Sequence, residues 1–436
     1  EQPKESFVRF VPGQGVSFWQ RAEALVLEAL RDYARHAANG GRIQRQLFAE
    51  DAERGFAFID ICQKRFDVAL MNPPFGLVQK HLTKYIENSY PDTYVDLYAS
   101  FVTRGLGLTE KGIVGAITSR AYLMTKKLAR WRANELIRAT SLILDLGSPV
   151  MDDAFVEACA FTVSRAEVSP SILAFDRRFS ATKDASLVTD ATNKWYCVDK
   201  GRLLELPQAK MLYSLPPAIQ GLLKSEEHFE PTIGTARQGM CTFEDFRFLR
   251  LRWEAPPSEI GQGKMWEPLS KGGDFAFYYS DIHLLVLWDR DGKELGEANR
   301  RVNGQTAQSR QASEYWRRPG GTYSKRSAKG FSVRALPKGC IFGTKGPAIL
   351  SESTVPASCL IGWLNSRLIR FLVHIQANAF EFNTGILKRL PWKSDDRLLC
   401  LADSTKATIE GCRSASALLE TNSCFTTLPI GDSLTN

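Results

Sequence analysis

The segment Asn72-Pro73-Pro74-Phe75 contains residue types suited to one reaction, the alkylation of an amino group on a planar base. Such an amine is a poor nucleophile because its lone pair is delocalised into the ring. Accepting hydrogen bonds from both amine protons favours a pyramidal nitrogen with an exposed lone pair. The Asn72 side-chain oxygen can accept one proton and a nearby backbone carbonyl the other. The prolines would hold that carbonyl in place, and the Phe75 ring offers a stacking face.

An apolar run over residues 66–71 leads into this segment and predicts a short buried strand. Two successive prolines cannot continue a strand ladder, so the strand must end before Pro73. In an open α/β sheet, ligands bind beyond the carboxyl ends of the strands. A lone Asn-Pro dipeptide usually only ends a strand. Here the strand before it and the aromatic residue after it favour a functional site.

Strands and helices alternate around this segment. Apolar runs predict further strands at 112–117, 142–146 and 158–164, with helices between them. This alternation predicts an α/β fold with an open, largely parallel sheet. Beyond about residue 166 the periodicity weakens, and a second domain is expected.

Basic residues are concentrated in the second half of the chain. The whole sequence has 56 Lys and Arg against 48 Asp and Glu, a formal charge of +8. Residues 300–345 alone contain eleven cations and one acid, Glu314, with aromatic residues among them. Such a run is usually a solvated face, but this imbalance favours a nucleic-acid surface. The predicted DNA contacts are Arg300, Arg301, Arg310, Arg317, Arg318, Lys325, Arg326, Lys329 and Arg334.

The composition excludes several other classes of protein. The nine Cys are scattered without a Cys-x-x-Cys pair and there are five His, so neither a zinc ribbon nor a disulfide framework is expected, and no metal site is predicted. No apolar run approaches the roughly 20 residues of a membrane span. These features predict a cytoplasmic protein with no membrane partner.

Asn72 to Phe75, following Phe66 to Met71, resemble the catalytic motif of amino-methyltransferases that act on adenine N6 in DNA with S-adenosylmethionine. The likeness continues in the family's order through Val95 to Tyr98, Gly112 to Ser119, Leu142 to Gly147 and Val156 to Val163. The later chain resembles PglX-type methyltransferases of bacteriophage-exclusion (BREX) systems. These weaker likenesses are Gly239 to Thr242, Arg247 to Arg250, Tyr323 to Lys325, Leu336 to Gly339, Gly362 to Ser366 and Phe382 to Pro391.

The resemblance implies a Rossmann-like class I S-adenosylmethionine-dependent methyltransferase sheet followed by an α+β target-recognition domain. Its implied partners are double-stranded DNA and other phage-defence proteins. We expect a helical segment (1–60), the carboxyl-terminal part of the catalytic domain (61–166), a connecting region (167–230), a target-recognition domain (231–393) and a tail (394–436).

The family's glycine-rich cofactor loop has no counterpart in this sequence. Pro12-Gly13-Gln14-Gly15 is preceded by no adequate strand, so we interpret it as a turn. The sheet is therefore expected to lack its amino-terminal half. The chain is either a fragment of a longer protein, which we prefer, or a remnant that cannot bind the methyl donor alone. Relatives often place an acid that contacts the cofactor's adenine where Asp60 lies, although Asp60 could equally be a helix-surface carboxylate.

A paired adenine must leave the duplex before such an enzyme can reach its amine. Phe75 is the first candidate for one wall of the pocket. Phe155 matches a stacking residue of the family, but is as well explained as a core residue. Tyr98, at helical spacing with Phe101, fits the core better. The alternative function is a catalytically inactive DNA-recognition or complex-assembly module that retains the fold.

Overall fold

A computed structural model describes residues 64–148, 150, 156–166, 169–178, 194–304, 306–377, 380–393, 396–419 and 421–425, together with 28, 29 and 32. Asp60 and Phe155 lie outside these residues. The strands are β1 (Val68–Met71), β2 (Ile113–Ser119), β3 (Thr140–Gly147), β4 (Ala158–Ser164), β5 (Ser171–Asp176), β6 (Lys194–Asp199), β7 (Gly234–Arg237), β8 (Leu249–Leu251), β9 (Trp266–Ser270), β10 (Leu284–Leu287), β11 (Gly320–Tyr323), β12 (Val333–Leu336), β13 (Ile341–Phe342) and β14 (Ala348–Ser351).

The helices of the described residues are mostly short. They are α1 (Thr83–Ser89), α2 (Leu97–Thr109), α3 (Ala129–Trp131), α4 (Ile137–Ala139), α5 (Lys200–Leu204), α6 (Pro217–Leu223), α7 (Phe229–Thr232), α8 (Asp245–Phe248), α9 (Asp289–Asn303), α10 (Ala357–Asn365), α11 (Arg367–Gln376), α12 (Thr384–Lys388) and α13 (Asp396–Ser416). A π-helical turn, Arg132–Leu136, joins α3 to α4. Short 3₁₀ turns span Arg120–Leu123, Lys126–Leu128, Pro207–Ala209, Arg252–Glu254, Pro257–Glu259, Ala307–Arg310 and Ser313–Tyr315.

The first sheet has the strand order β1-β2-β4-β3-β5-β6. β1 pairs with β2 and β3 with β5 in parallel, but β4 runs antiparallel to both of its neighbours, as does β6 to β5. β1, β2, β3 and β5 therefore run in one direction, in line with a largely parallel sheet, and β4 and β6 run in the opposite direction. The sheet also extends past residue 166, because β5 and β6 lie in the segment predicted to be a connecting region.

The core packs against one face of α2. Tyr98, Val102 and Leu106 follow one another at four-residue intervals and are buried against the sheet, whereas Phe101 is exposed on another side of the helix. This spacing places one apolar stripe toward the core. The same cluster continues through Leu360 and Leu372, on α10 and α11, so one hydrophobic core includes both the first sheet and the carboxyl-terminal helices.

β1 is an edge strand among the described residues. No described strand pairs with it on the side away from β2. Its residues Val68 and Leu70 are 56% and 82% exposed, although both are apolar.

Two four-stranded sheets form most of the second half. Their orders are β13-β9-β10-β8 and β12-β11-β14-β7. Ser270 at the end of β9 and Thr322 in β11 join them through a buried hydroxyl hydrogen bond of 2.9 Å. Residues 394–436, predicted as a tail, include helix α13, which packs on α10. A Cβ atom on Gly362 would lie 2.4 Å from the Thr405 hydroxyl, so any larger residue here would require the Thr405 side chain to shift. None of the helices described is long and apolar enough to span a bilayer.

Candidate active site

The predicted motif lies at the carboxyl end of β1. Met71, the last residue of the strand, is aligned with Ala116 of β2, and Asn72 follows directly. Asn72 is exposed, and its carboxamide has no hydrogen-bond partner among the described residues. Pro73 is buried and Pro74 is exposed. The side-chain oxygen of Asn72 is therefore available to accept a hydrogen bond from a ligand.

The start of α2 holds the turn that follows the motif. The Gly76 amide donates a hydrogen bond of 3.0 Å to Asp96 Oδ1, and the Leu97 amide donates one of 3.1 Å to the Gly76 carbonyl. Burial raises the pKa of Asp96, although hydrogen bonds from backbone amides, including that of Gly76, oppose the increase. Asp96 was part of a recognised motif, but its role in fixing this turn was not predicted.

Phe75 packs on the core. Its ring meets that of Tyr98 edge to face, with centroids 6.2 Å apart and an interplanar angle of 76°. Tyr98 is buried, as expected for a core residue, whereas Phe75 is only half-buried and keeps part of its ring accessible. The structure therefore brings Asn72 and Phe75 together at one strand end. The hydrogen bond between Asp96 and Gly76, which we call the Asp96 clamp, lies at the same strand end.

Gly76 provides a stability test of this clamp. Its φ of +112° is a conformation that other residues rarely adopt. We expect Gly76→Ala to lower the free energy of unfolding by about 1–3 kcal/mol. Gly107 is the matched control, because it lies within α2 and a Cβ atom there would contact nothing within 4 Å. Gly107→Ala should instead stabilise the chain by up to about 1 kcal/mol. Denaturant titration measures both, and equal effects would contradict the strained geometry.

A buried ionic network lies at the carboxyl ends of β2 and β3, and sequence reasoning missed it. Arg120 donates through Nε and Nη2 to the fully buried Asp145 carboxylate at 2.8 to 3.1 Å, and the Tyr213 hydroxyl donates to it at 2.7 Å. Burial lowers the pKa of Arg120, but the charge and hydrogen bonds of Asp145 outweigh this and raise it. The sequence signal for this network was Asp145, the one acid in the apolar run predicted as a strand at 142–146.

This network lines a cavity of about 200 Å³ between the strand ends and α11. Arg120, Glu157 and Arg178 line it from the first sheet, and His374 faces them from α11. Burial is the main cause that lowers the pKa of His374, and the positive charges of Arg178 and Arg120 lower it further. The cavity therefore has two guanidinium groups opposite a histidine that favours its neutral form.

Most of the predicted DNA-binding arginines are engaged in ion pairs. Arg317 makes two hydrogen bonds, of 2.9 and 2.8 Å, to the buried Glu267. Arg318 pairs with Glu352 at 3.0 Å and Arg310 with Asp291 at 2.6 Å. The carboxylates lie outside residues 300–345, so the local charge count did not include them.

The remaining predicted contacts differ in accessibility. Lys325 and Arg326 both pair with Glu381, at 3.2 and 2.9 Å. Arg300, Arg301 and Lys329 are exposed and have no ion-pair partner among the described residues. The prediction for Arg334 is corrected, because this side chain is only 1% exposed and its guanidinium donates to the Asp274 carbonyl and to Ser324. It stabilises the fold and cannot reach a phosphate in this conformation.

An α/β fold with a mixed sheet, and with an Asn-Pro-Pro-Phe turn at the end of a strand, is consistent with the methylases of restriction-modification systems. Residues 22–147 match the model of one such family, the Eco57I restriction-modification methylase. The solved structure of the Type IIL restriction-modification enzyme MmeI in complex with DNA has a similar fold. Its TM-score is 0.51 at 11% identity, over 80% of this chain and 49% of that one.

Two curated relatives make the resemblance more specific. The chain is 22% identical over 356 residues to the adenine-specific methyltransferase PglX of Lacticaseibacillus casei (strain Zhang), and 23% identical over 363 residues to the adenine-specific methyltransferase BrxX of Escherichia coli O9:H4 (strain HS). The matches cover 75% and 78% of this chain but 29% of each relative. The predicted resemblance to PglX-type methyltransferases is thus confirmed, and the chain spans less than a third of these relatives.

Proposed function

We propose that this chain contributes to the methylation of adenine N6 in DNA, with S-adenosylmethionine as methyl donor, in a bacterial phage-defence or modification system. Its first sheet would be part of a Rossmann-like class I methyltransferase sheet. The two smaller sheets and their helices would form the target-recognition domain. The similarity to adenine-specific methyltransferases supports the proposal.

The exposed Asn72 carboxamide at the carboxyl end of β1 is the observation that carries this proposal. Its oxygen accepts one proton of the adenine amine, and a backbone carbonyl of the adjoining turn accepts the other. The two bonds expose the nitrogen lone pair, so no ionisable base is needed to make the amine nucleophilic. The Asp96 clamp on Gly76 keeps the turn in position during the reaction.

The target base must be extruded from the duplex and stacked on a ring. Phe75 offers its accessible face for this purpose. Phe155, which lies outside the described residues, remains a proposal for the second wall.

The described residues do not by themselves fit the methyl donor. The sequence has no glycine-rich loop, and β1 is unpaired on its outer side among the strands described. Asp60, also outside the described residues, remains a proposed contact to the donor's adenine. The chemistry assigned to this chain is therefore limited to the amino group that receives the methyl group.

A methyl-transfer assay tests the function. The longest polypeptide that the gene encodes is incubated with duplex DNA and S-adenosylmethionine labelled in its methyl group. Nuclease digestion and mass spectrometry then identify the modified nucleoside. We expect N6-methyladenine. Methylated cytosine, or labelled protein with unmodified DNA, would refute the proposed substrate.

The second candidate function is a catalytically inactive DNA-recognition module. The exposed cations Arg300, Arg301 and Lys329 favour it, because DNA contacts by these side chains need no methyl-donor site. Salt-dependent binding of duplex DNA by the same polypeptide, without methyl incorporation into any of many duplexes of varied sequence, would support this function over methylation.

A further inference from the structure

A cleft of about 520 Å³ lies where the two smaller sheets meet. Loops that follow β7, β9, β11 and β13 line it, and they contribute Gln238, Lys271, Lys325 with Arg326, and Lys345 respectively. We call this the basic cleft. Of its four cations, Lys271 lies outside the basic segment 300–345, and Lys345 is the last cation of that segment but was not among the predicted DNA contacts.

The loops of the basic cleft are held together by their backbones. The Lys325 amide donates a hydrogen bond of 2.9 Å to the Lys345 carbonyl. A Cβ atom on Gly346 would lie 2.2 Å from the Gly272 amide nitrogen, so the loops after β9 and β13 are in direct contact. The cations are therefore carried on a fixed frame, which lowers the entropic cost of ordering them around a ligand.

The charges of the cleft are only partly balanced. Glu381 pairs with both Lys325 and Arg326, and Asp245 pairs with Lys271. Lys345 is exposed and forms no ion pair within 4 Å among the described residues, although its charge helps to lower the pKa of the nearby Asp245. Four cations against two carboxylates leave an excess of two positive charges. Ser324, Thr344 and Gln238 add neutral hydrogen-bonding groups to the walls.

We propose that the basic cleft binds the phosphate backbone of duplex DNA, with Lys345 as a direct phosphate contact. This inference rests on the proposed function for the identity of the ligand. Lys and Arg, together with Ser, Thr and Gln, are the residues that contact DNA phosphates and fix the register of the protein on the duplex. The cleft thus positions the duplex, whereas the turn at Asn72 acts on the extruded base.

Loss of Lys345 tests the direct contact. Each phosphate contact contributes about 0.9 to the slope of log affinity against log salt. We expect Lys345→Ala to reduce that slope by about one and to weaken binding roughly five- to tenfold at 0.1 M salt, equally for all duplex sequences. Fluorescence anisotropy of a labelled duplex, titrated at several salt concentrations, measures both quantities.

Lys338 is the matched control. It is exposed and has no ion-pair partner among the described residues. It follows β12, whose Leu336 is paired with Gly320 at the start of β11, whereas the cleft follows the end of β11. Lys338 therefore lies at the opposite end of this sheet, and Lys338→Ala should leave the slope unchanged despite the same loss of charge.

Glu381→Gln should change the affinity for DNA in the opposite direction. A misfolded variant would not bind DNA more tightly, so misfolding cannot produce this result. Hydrogen bonds from Arg326 and Lys325 outweigh burial and keep the pKa of Glu381 low, so its carboxylate is ionised and competes with phosphate for both cations. Removing this charge should tighten DNA binding several-fold and steepen the salt dependence.

Failure of the cleft proposal and failure of the proposed function give different results in these experiments. If the wild-type polypeptide binds duplex DNA but Lys345→Ala and Glu381→Gln leave the salt slope unchanged, the cleft proposal is wrong and the proposed function stands. If the wild type binds no DNA at any salt concentration, both are wrong. A lower salt slope in Lys345→Ala, together with no methylation by the wild type, supports the cleft and refutes the catalytic proposal alone.

Discussion

Asn72→Ala should reduce the rate of methyl incorporation into DNA roughly 10²–10³-fold, the usual loss when one hydrogen-bonding group that stabilises a transition state is removed. The variant removes the acceptor for one amine proton and leaves the strand and both prolines in place. Because Asn72 is exposed and has no partner among the described residues, the free energy of unfolding should change by less than about 0.5 kcal/mol. Single-turnover kinetics with labelled donor measure the rate.

Asn88→Ala is the matched control for this variant. Asn88 is an exposed carboxamide on α1, and its loss should affect neither methylation nor stability. DNA affinity should also be the same in Asn72→Ala as in the wild type, because the basic cleft is unaltered. Equal methylation by Asn72→Ala and wild-type protein would refute the role assigned to this residue.

Asp145→Ala should produce the largest loss of stability, about 3–5 kcal/mol, because it leaves a buried guanidinium without its main counter-charge. Arg120 is buried, and its other acidic partner, Glu157, lies at 3.5 Å. The Tyr213 hydroxyl loses its acceptor as well. Denaturant titration of the variant and the wild type measures the difference.

A double variant separates charge from packing in this network. Replacing Arg120 by Met and Asp145 by Leu removes both buried charges, and it should unfold at a denaturant concentration closer to the wild type than Asp145→Ala does. Glu294→Gln is the control at an exposed pair with Arg247, where we expect a change below about 1 kcal/mol. A double variant as unstable as the single variant would show that packing, not the unpaired charge, dominates.

The sequence by itself determined the features that depend on neighbouring residues. The apolar run before Asn72 and the two prolines after it fix a strand end, whatever else surrounds them, and the structure places Asn72 at that end. Helix α2 was equally predictable from its apolar spacing, although that spacing grouped Phe101 with Tyr98 and the structure leaves Phe101 exposed.

Tertiary structure decided which strands and charges are partners. Apolar periodicity shows which face of a strand is buried but not which strand pairs with it, so the antiparallel direction of β4 and the addition of β5 and β6 were not predictable. Likewise, the acids that neutralise Arg317 and Arg318 are 50 and 34 residues away in sequence. The basic cleft brings together loops after four strands of two sheets, and such a site exists only once those sheets have packed.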